Sequence, residues 1–279
     1  MKTLETRLGA IAGSAIMVWF IAFIGLTSLI WNKKSRSNLL FCSLFLIFSF
    51  LAVVPGFYFR PHYFILFLPV VALFAGIGAS SVYDLVIREK TIPAMKVIPV
   101  LVILLVLFHG GWQQRQFLFF TDPQQASRLT YGLNPFPESL EIARYIQENS
   151  NENDRIAVIG SEPQIYFYSN RRGATGHIYT YALMETHPYA LSMQKEMIKE
   201  IESVKPRYLV YVNVPGSWMY RRKSKRLIFN WFNSYWKKHY KRVGIVDISK
   251  KGTNYRWGEN VIGYRVKSRT SVSIFRRED

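Results

Sequence analysis

Four long apolar runs, at about 8–31, 39–59, 63–83 and 92–112, fill the first 112 residues and limit the possible folds more than any other feature of the chain. Each approaches or exceeds the roughly 20 residues that a helix needs to cross a hydrocarbon core about 30 Å thick. The expectation is therefore a membrane α-helical region of four transmembrane helices over 1–112. The first run is too long for a cleavable signal peptide, and Lys33, Lys34 and Arg36 follow it where a small-residue cleavage site would stand. The last run reaches spanning length only if 92–96 joins it, with Lys96 snorkelling to the surface. Gly9 with Gly13, and Ala72 with Gly76 and Ser80, recur four apart, a spacing that lets helices pack closely in lipid.

Beyond Trp112 the pattern changes. Residues 113–279 mix charged, aromatic and short apolar stretches, as a domain with its own core does. We place a linker at 113–134 and a C-terminal domain at 135–279. The chain carries 36 Lys and Arg against 18 Asp and Glu, a formal charge of +18. Nine of those cations and three of the acids lie in the first 112 residues, so both halves are basic. Beside long apolar runs, such charge points to the lipid bilayer and its phosphates as partner, and not to nucleic acid. Cys42, the one cysteine, lies inside an apolar run, which excludes an intrachain disulfide. No metal and no cofactor is expected.

Positive charge in short loops sets orientation. Loops 32–38 and 86–96 each hold three Lys or Arg, against Lys2, Arg7 and Arg60 on the other side. The bias narrows once Arg115 and Arg128 are counted, but its sign holds. It predicts a multi-pass protein of the cell (inner or plasma) membrane with its C-terminal domain extracytoplasmic.

Between the second and third runs stands Phe59-Arg60-Pro61-His62-Tyr63-Phe64. Pro61 cannot continue a helix and disfavours helical geometry at Arg60, so a reversal at the membrane surface is expected. Two readings of Arg60 and His62 stand side by side: an anchor to headgroups, or a specific phosphate site completed by Tyr63.

In the C-terminal part, Leu140, Ala143 and Ile146 recur at helical spacing after Pro137 and Glu138, which suit a helix start. The run 155–159 reads as a buried strand closed by Gly160, and 164–169 as a helix. A helix over 190–204 leads to a strand over 207–212, and a helix over 225–239 to a strand over 243–246. Edge strands over 261–266 and 271–275 complete a small α/β domain with a mainly parallel sheet.

Ligands in open α/β sheets collect beyond the carboxyl ends of strands. Gly160-Ser161-Glu162-Pro163-Gln164 occupies that place, and Glu162 reads either as a helix-starting acid or as a base. Arg171 and Arg172, before Gly173, clamp an anion or solvate a loop. His177, His187 and His239 lack metal-ligand spacing. The stretch 221–226 is strongly cationic, with Trp218, Tyr220 and Trp231 nearby. It suits a solvated basic face and an anionic membrane surface equally. Nucleotide-phosphate loops, zinc-protease helices and serine elbows are absent.

Arg60-Pro61-His62-Tyr63-Phe64-Ile65-Leu66-Phe67-Leu68-Pro69 resembles the His-Tyr-Phe and Leu-Pro signature of GT-C membrane glycosyltransferases, the protein-O-mannosyltransferase-like and aminoarabinose-transferase-like enzymes. The motifs Pro135-Phe136-Pro137-Glu138, Asp154-Arg155-Ile156, Gly160-Ser161-Glu162-Pro163-Gln164 and Lys205-Pro206-Arg207-Tyr208 are similar to their extracytoplasmic C-terminal domain. The resemblance implies transfer of a sugar from a polyprenyl-phosphate carrier, with Arg60, His62, Tyr63, Arg171 and Arg172 as phosphate-binding candidates. It also implies a catalytic acid in an early loop that has no counterpart here, since Glu5 fits no motif and Asp84 lies towards the cytoplasmic side. The expectation is a C-terminal half that is inactive without a separate N-terminal half, with Glu162 the reserve catalytic candidate. The alternative is a non-catalytic membrane subunit whose outer domain binds a glycan, lipid or protein in envelope assembly.

Overall fold

The computed structural model describes Gly9, Gly13 and residues 15–57, 59–86 and 97–278. It divides into two compact units, Met1–Thr121 and Asp122–Asp279.

The first unit is helical. It contains α1 (Ile16–Trp31), α2 (Lys33–Arg36), α3 (Leu39–Val53), α4 (Leu68–Val86), α5 (Ile98–Gln113) and α6 (Arg115–Phe119), with 3-10 segments at Pro55–Phe57 and Pro61–Phe67. Helices α1 and α4 run side by side in one direction. Trp19 stacks on Phe67 at 6.1 Å at one end, and Asn32 Nδ2 donates to Ser81 Oγ at 3.1 Å at the other. Midway their backbones touch. A Cβ on Gly25 would lie 1.8 Å from the Phe74 carbonyl oxygen, and one on Gly78 would lie 2.3 Å from that of Ile21. Glycine is therefore required at both crossing positions. The close approach does not use Gly9, Gly13 or Gly76, where an added Cβ meets nothing within 4 Å.

Four transmembrane helices are not what this unit shows. Among the described residues one helix, Pro61–Leu85, is long and apolar enough to cross a membrane, at 25 residues. Helices α1, α3 and α5 have 16, 15 and 16 residues. At 1.5 Å per residue they reach about 24 Å, short of a hydrocarbon core of about 30 Å. The run at 39–59 ends early for a local reason: Pro55 offers no N–H to Leu51 and its ring clashes with the preceding turn. Phe57 and Phe59 then adopt φ of +55° and +44°, which no helix continues through. The start of the 8–31 run and the 92–96 extension fall largely or wholly outside the described residues.

The second unit begins with α7 (Pro123–Tyr131) and α8 (Phe136–Glu148), both within or just after the stretch read as a linker. Asp122 caps α7, its Oδ1 accepting from the Gln124 and Gln125 amides at 2.8 and 2.9 Å. There follow β1 (Arg155–Ile159), α9 (Gln164–Ser169), β2 (Arg172–Gly173), α10 (Tyr181–Met184), α11 (Ala190–Val204), β3 (Tyr208–Asn213) and α12 (Pro215–Trp218). The chain closes with α13 (Leu227–His239), β4 (Tyr240–Ser249), β5 (Gly252–Trp257) and β6 (Thr270–Arg277).

The sheet runs β2-β1-β3-β6-β4-β5. Strand β1 pairs in parallel with β2 and β3, while β3–β6, β6–β4 and β4–β5 are antiparallel, so the sheet is mixed where a mainly parallel one was expected. At one edge the cause is a hairpin: Lys250 and Lys251 alone join β4 to β5, and so short a link allows only antiparallel pairing. Strand β6, expected at an edge, inserts between β3 and β4. The strand expected over 261–266 is instead a 3-10 turn, Gly258–Val261, followed by irregular chain.

Both faces of the sheet are covered. Ile156 and Val158 of β1 pack with Ile142 and Ile146 of α8 and Ile165 of α9. The alternate residues Ala157 and Ile159 pack with Met197 and Ile201 of α11 and Phe232 of α13. That two-sided burial is why β1 reads as an unbroken apolar run.

Candidate functional site

The chain leaves β1 for β2 on one side and later returns to β3 on the other. A crevice therefore opens beyond the carboxyl ends of β1 and β3. Gly160 begins it at φ +154°, where a Cβ would lie 2.7 Å from Val212 Cβ and 2.9 Å from Ser217 Oγ. Only glycine lets the end of β1 lie so near β3 and α12.

Hydroxyls tie three loops together there. The Ser161 amide donates to Ser217 Oγ at 2.8 Å, Ser161 Oγ and Thr180 Oγ1 are 2.9 Å apart, and Tyr181 OH donates to the Gly216 carbonyl at 2.6 Å. Glu162 sits beneath this network at 2 % exposure. Gln164 Nε2 donates to its carboxylate and bridges to Ser139 Oγ at 3.0 Å. Burial pushes the Glu162 carboxyl up to about 7, against the lowering effect of its hydrogen bonds with Gln164 and Ser217. Near neutral pH it therefore exchanges a proton readily, as a general acid or base must. A second buried acid, Glu138, is paired with Arg128 and accepts from Thr253 Oγ1, which joins α7, α8 and β5.

Next to this network, residues of β3, α12 and α13 line an open groove of about 350 Å³. Its aromatic wall includes Tyr211, Trp218, Tyr220 and Phe229, and its polar groups include Asn213, Asn230, Asn233 and Arg226. Tyr211 is held by stacking on Phe232 at 4.4 Å and Trp218 by donating Nε1 to the Val212 carbonyl at 2.7 Å. Arg226 lies 5.8 Å over the Tyr220 ring. The three asparagines are exposed. Their side-chain amides make no hydrogen bond to protein among the described residues, which leaves donors and acceptors facing the groove.

The candidates singled out from sequence scatter. Glu162 lies at the crevice. Arg171 is buried, and its guanidinium donates to the carbonyls of Gln147, Ser150, Ser169 and Asn170 and to Ser150 Oγ. It ties the chain after α8 to that before β2, with its N–H groups spent on protein, which favours the loop-holding reading over the clamp. Arg172 is exposed on β2. Arg60 is half-buried and His62 exposed, with the His62 ring edge-on to Tyr63 at 4.7 Å. Those three belong to the first unit, and Glu162 to the second. His177 Nε2 lies 3.1 Å from Glu196 Oε2. Among the described residues no three His, Cys, Asp or Glu side chains are grouped to hold a metal ion.

The groove was missed because its residues come from separated stretches, 211–220 and 226–233, and none forms a motif. The one available signal was the concentration of aromatics and amides around the cationic stretch. Comparison with protein-family models and with curated proteins finds no match.

Proposed function

We propose that this chain is a non-catalytic, membrane-associated component of an envelope glycan system, and that the groove beyond β3 binds the glycan. The groove carries the reading. Aromatic faces pack against the C–H faces of sugar rings, and unspent amides hydrogen-bond pairs of hydroxyls, so this lining suits a neutral, polyhydroxylated ligand. The large apolar side chains exposed on the first unit, such as Ile30 at 77 % and Phe108 at 65 %, support placement in a lipid bilayer.

The test is binding of the detergent-solubilised full chain to an array of envelope-type oligosaccharides. Tyr220→Ala and Asn230→Ala are expected to weaken binding about tenfold each, a loss of about 1.4 kcal/mol. Binding that survives both substitutions unchanged, or no binding to any glycan, would overturn the reading.

A second reading, sugar transfer from a polyprenyl-phosphate carrier as the GT-C resemblance implies, is favoured by the raised pKa of Glu162. Turnover of a polyprenyl-phosphate sugar by the purified chain, lost in Glu162→Gln, would select it. Glycan binding without turnover selects the first.

A further inference from the structure

At the carboxyl end of the sheet, two loops are fastened side by side. Ser224 Oγ donates to the Met184 carbonyl, Gln194 Nε2 bridges the carbonyls of Leu183 and Lys225 at 2.8 and 3.0 Å, and Arg221 lies 4.0 Å from Glu185. The juxtaposition collects two kinds of side chain on one rim. Five of the six residues from Arg221 to Arg226 are cationic, and those five are exposed. Beside them Ile178, Tyr179, Tyr189, Met219 and Tyr220 also turn outward, Tyr189 at 71 % and Tyr220 at 52 %. Glu185 is the one acid within 178–189 and 219–226.

A solvated basic face has no need of exposed tyrosines and a methionine, and five cations against the single acid Glu185 give a surplus of positive charge that an anionic lipid surface complements. Lys and Arg beside amphipathic aromatics is the composition of an interface between water and anionic lipid. We propose that this rim docks on the anionic headgroups of a bilayer, its cations on phosphates and its aromatic rings at headgroup depth. The glycan groove shares Tyr220 and Arg226 with the rim, so docking sets the groove beside the lipid surface. To that extent the inference rests on the glycan reading, but the docking itself does not.

The experiment uses the full chain in liposomes, with Cys42→Ser removing the native thiol. An environment-sensitive dye is placed at Lys223→Cys, and in a second sample at Glu152→Cys on the turn that feeds the opposite end of β1. With about one third phosphatidylglycerol, the dye at 223 is expected to shift to the blue and to be quenched by headgroup-located spin labels, while the dye at 152 reports water. Pure phosphatidylcholine or high salt should reverse the effect. Arg222→Glu and Lys225→Glu should each weaken docking by about fivefold or more, as expected per surface cation. Equal signals at 223 and 152, or indifference to phosphatidylglycerol, would overturn the proposal. Because glycan binding is read in detergent without anionic lipid, its failure and that of docking are distinguishable.

Discussion

In Asp122–Asp279, helices cover both faces of the sheet and seal Ile156, Tyr208 and Phe232 inside, whereas in Met1–Thr121 the large side chains of Phe20, Phe41 and Leu105 face outward. The two units use similar apolar residues in opposite ways, as the proposed placement of the first in a bilayer requires. In water, burial of large side chains is the driving force, and the second unit gathers them at its centre. In lipid the gain from such burial vanishes, and helices are held by close fit between small residues. The first unit joins α1 to α4 at Gly25 and Gly78 and turns its bulk outward, the pattern that its proposed placement in lipid calls for. Exposure of apolar residues is thus a property to be read against solvent, and not a defect of packing.

The most severe way to break this comparison is Gly25→Leu. The Phe74 carbonyl already stands where its Cβ would go, so we expect loss of the α1–α4 pairing and not a graded change. Cys42, 1 % exposed in the core that α1 and α4 share, reports it. Maleimide labelling should accelerate at least tenfold while urea unfolding of the second unit is unchanged. Slow labelling in the variant would mean that the helices are not held by this contact.

Ile156→Ala is the converse. It removes a fully buried side chain from the second core and should cost about 2–5 kcal/mol in urea unfolding. Labelling of Cys42 should not change. An increase in step with the destabilisation would show that the two units unfold as one.

The smallest expected effect sharpens the contrast within the second unit. Glu162 titrates near 4.5 when unfolded and at about 7 when folded. Below 4.5 both states are protonated. Between the two values the native state keeps a proton that the unfolded state releases, so stability falls as pH rises, by about 3 kcal/mol in full above 7. Glu162→Gln should flatten that fall between pH 5 and 8. A wild-type unfolding midpoint that is level across this range would show that the carboxyl is not held in its neutral form.

Much of the second unit was legible in sequence because local pattern and tertiary role agree there. The strand at 155–159 is apolar on both faces, and the helix at 190–204 places Met197 and Ile201 on one buried stripe. The antiparallel half was legible only in part: the strands expected over 243–246 and 271–275 lie within β4 and β6, but β5 and the central place of β6 were not foreseen. Strand β5 alternates exposed and half-buried residues at an edge, and β6 carries Thr270, Ser271, Arg276 and Arg277 although it lies in the middle. Glu162 could be placed from the glycine and strand before it, but not its burial, since Ser217 and Ser139, which bond to the flanking Ser161 and Gln164, are distant in the chain. The choice between the two readings of Arg171 was out of reach for the same reason. Two adjacent arginines can read as an anion clamp until the carbonyls of Gln147 and Ser150 are brought against one of them.

The sheet order also bears on crowding. One edge, β2, is two residues long, and the other, β5, starts after Lys250 and Lys251 and carries Arg256. An edge so short, and one so charged, offers a neighbouring copy little backbone to extend. Many such units can therefore crowd together without zipping into a continuous ribbon.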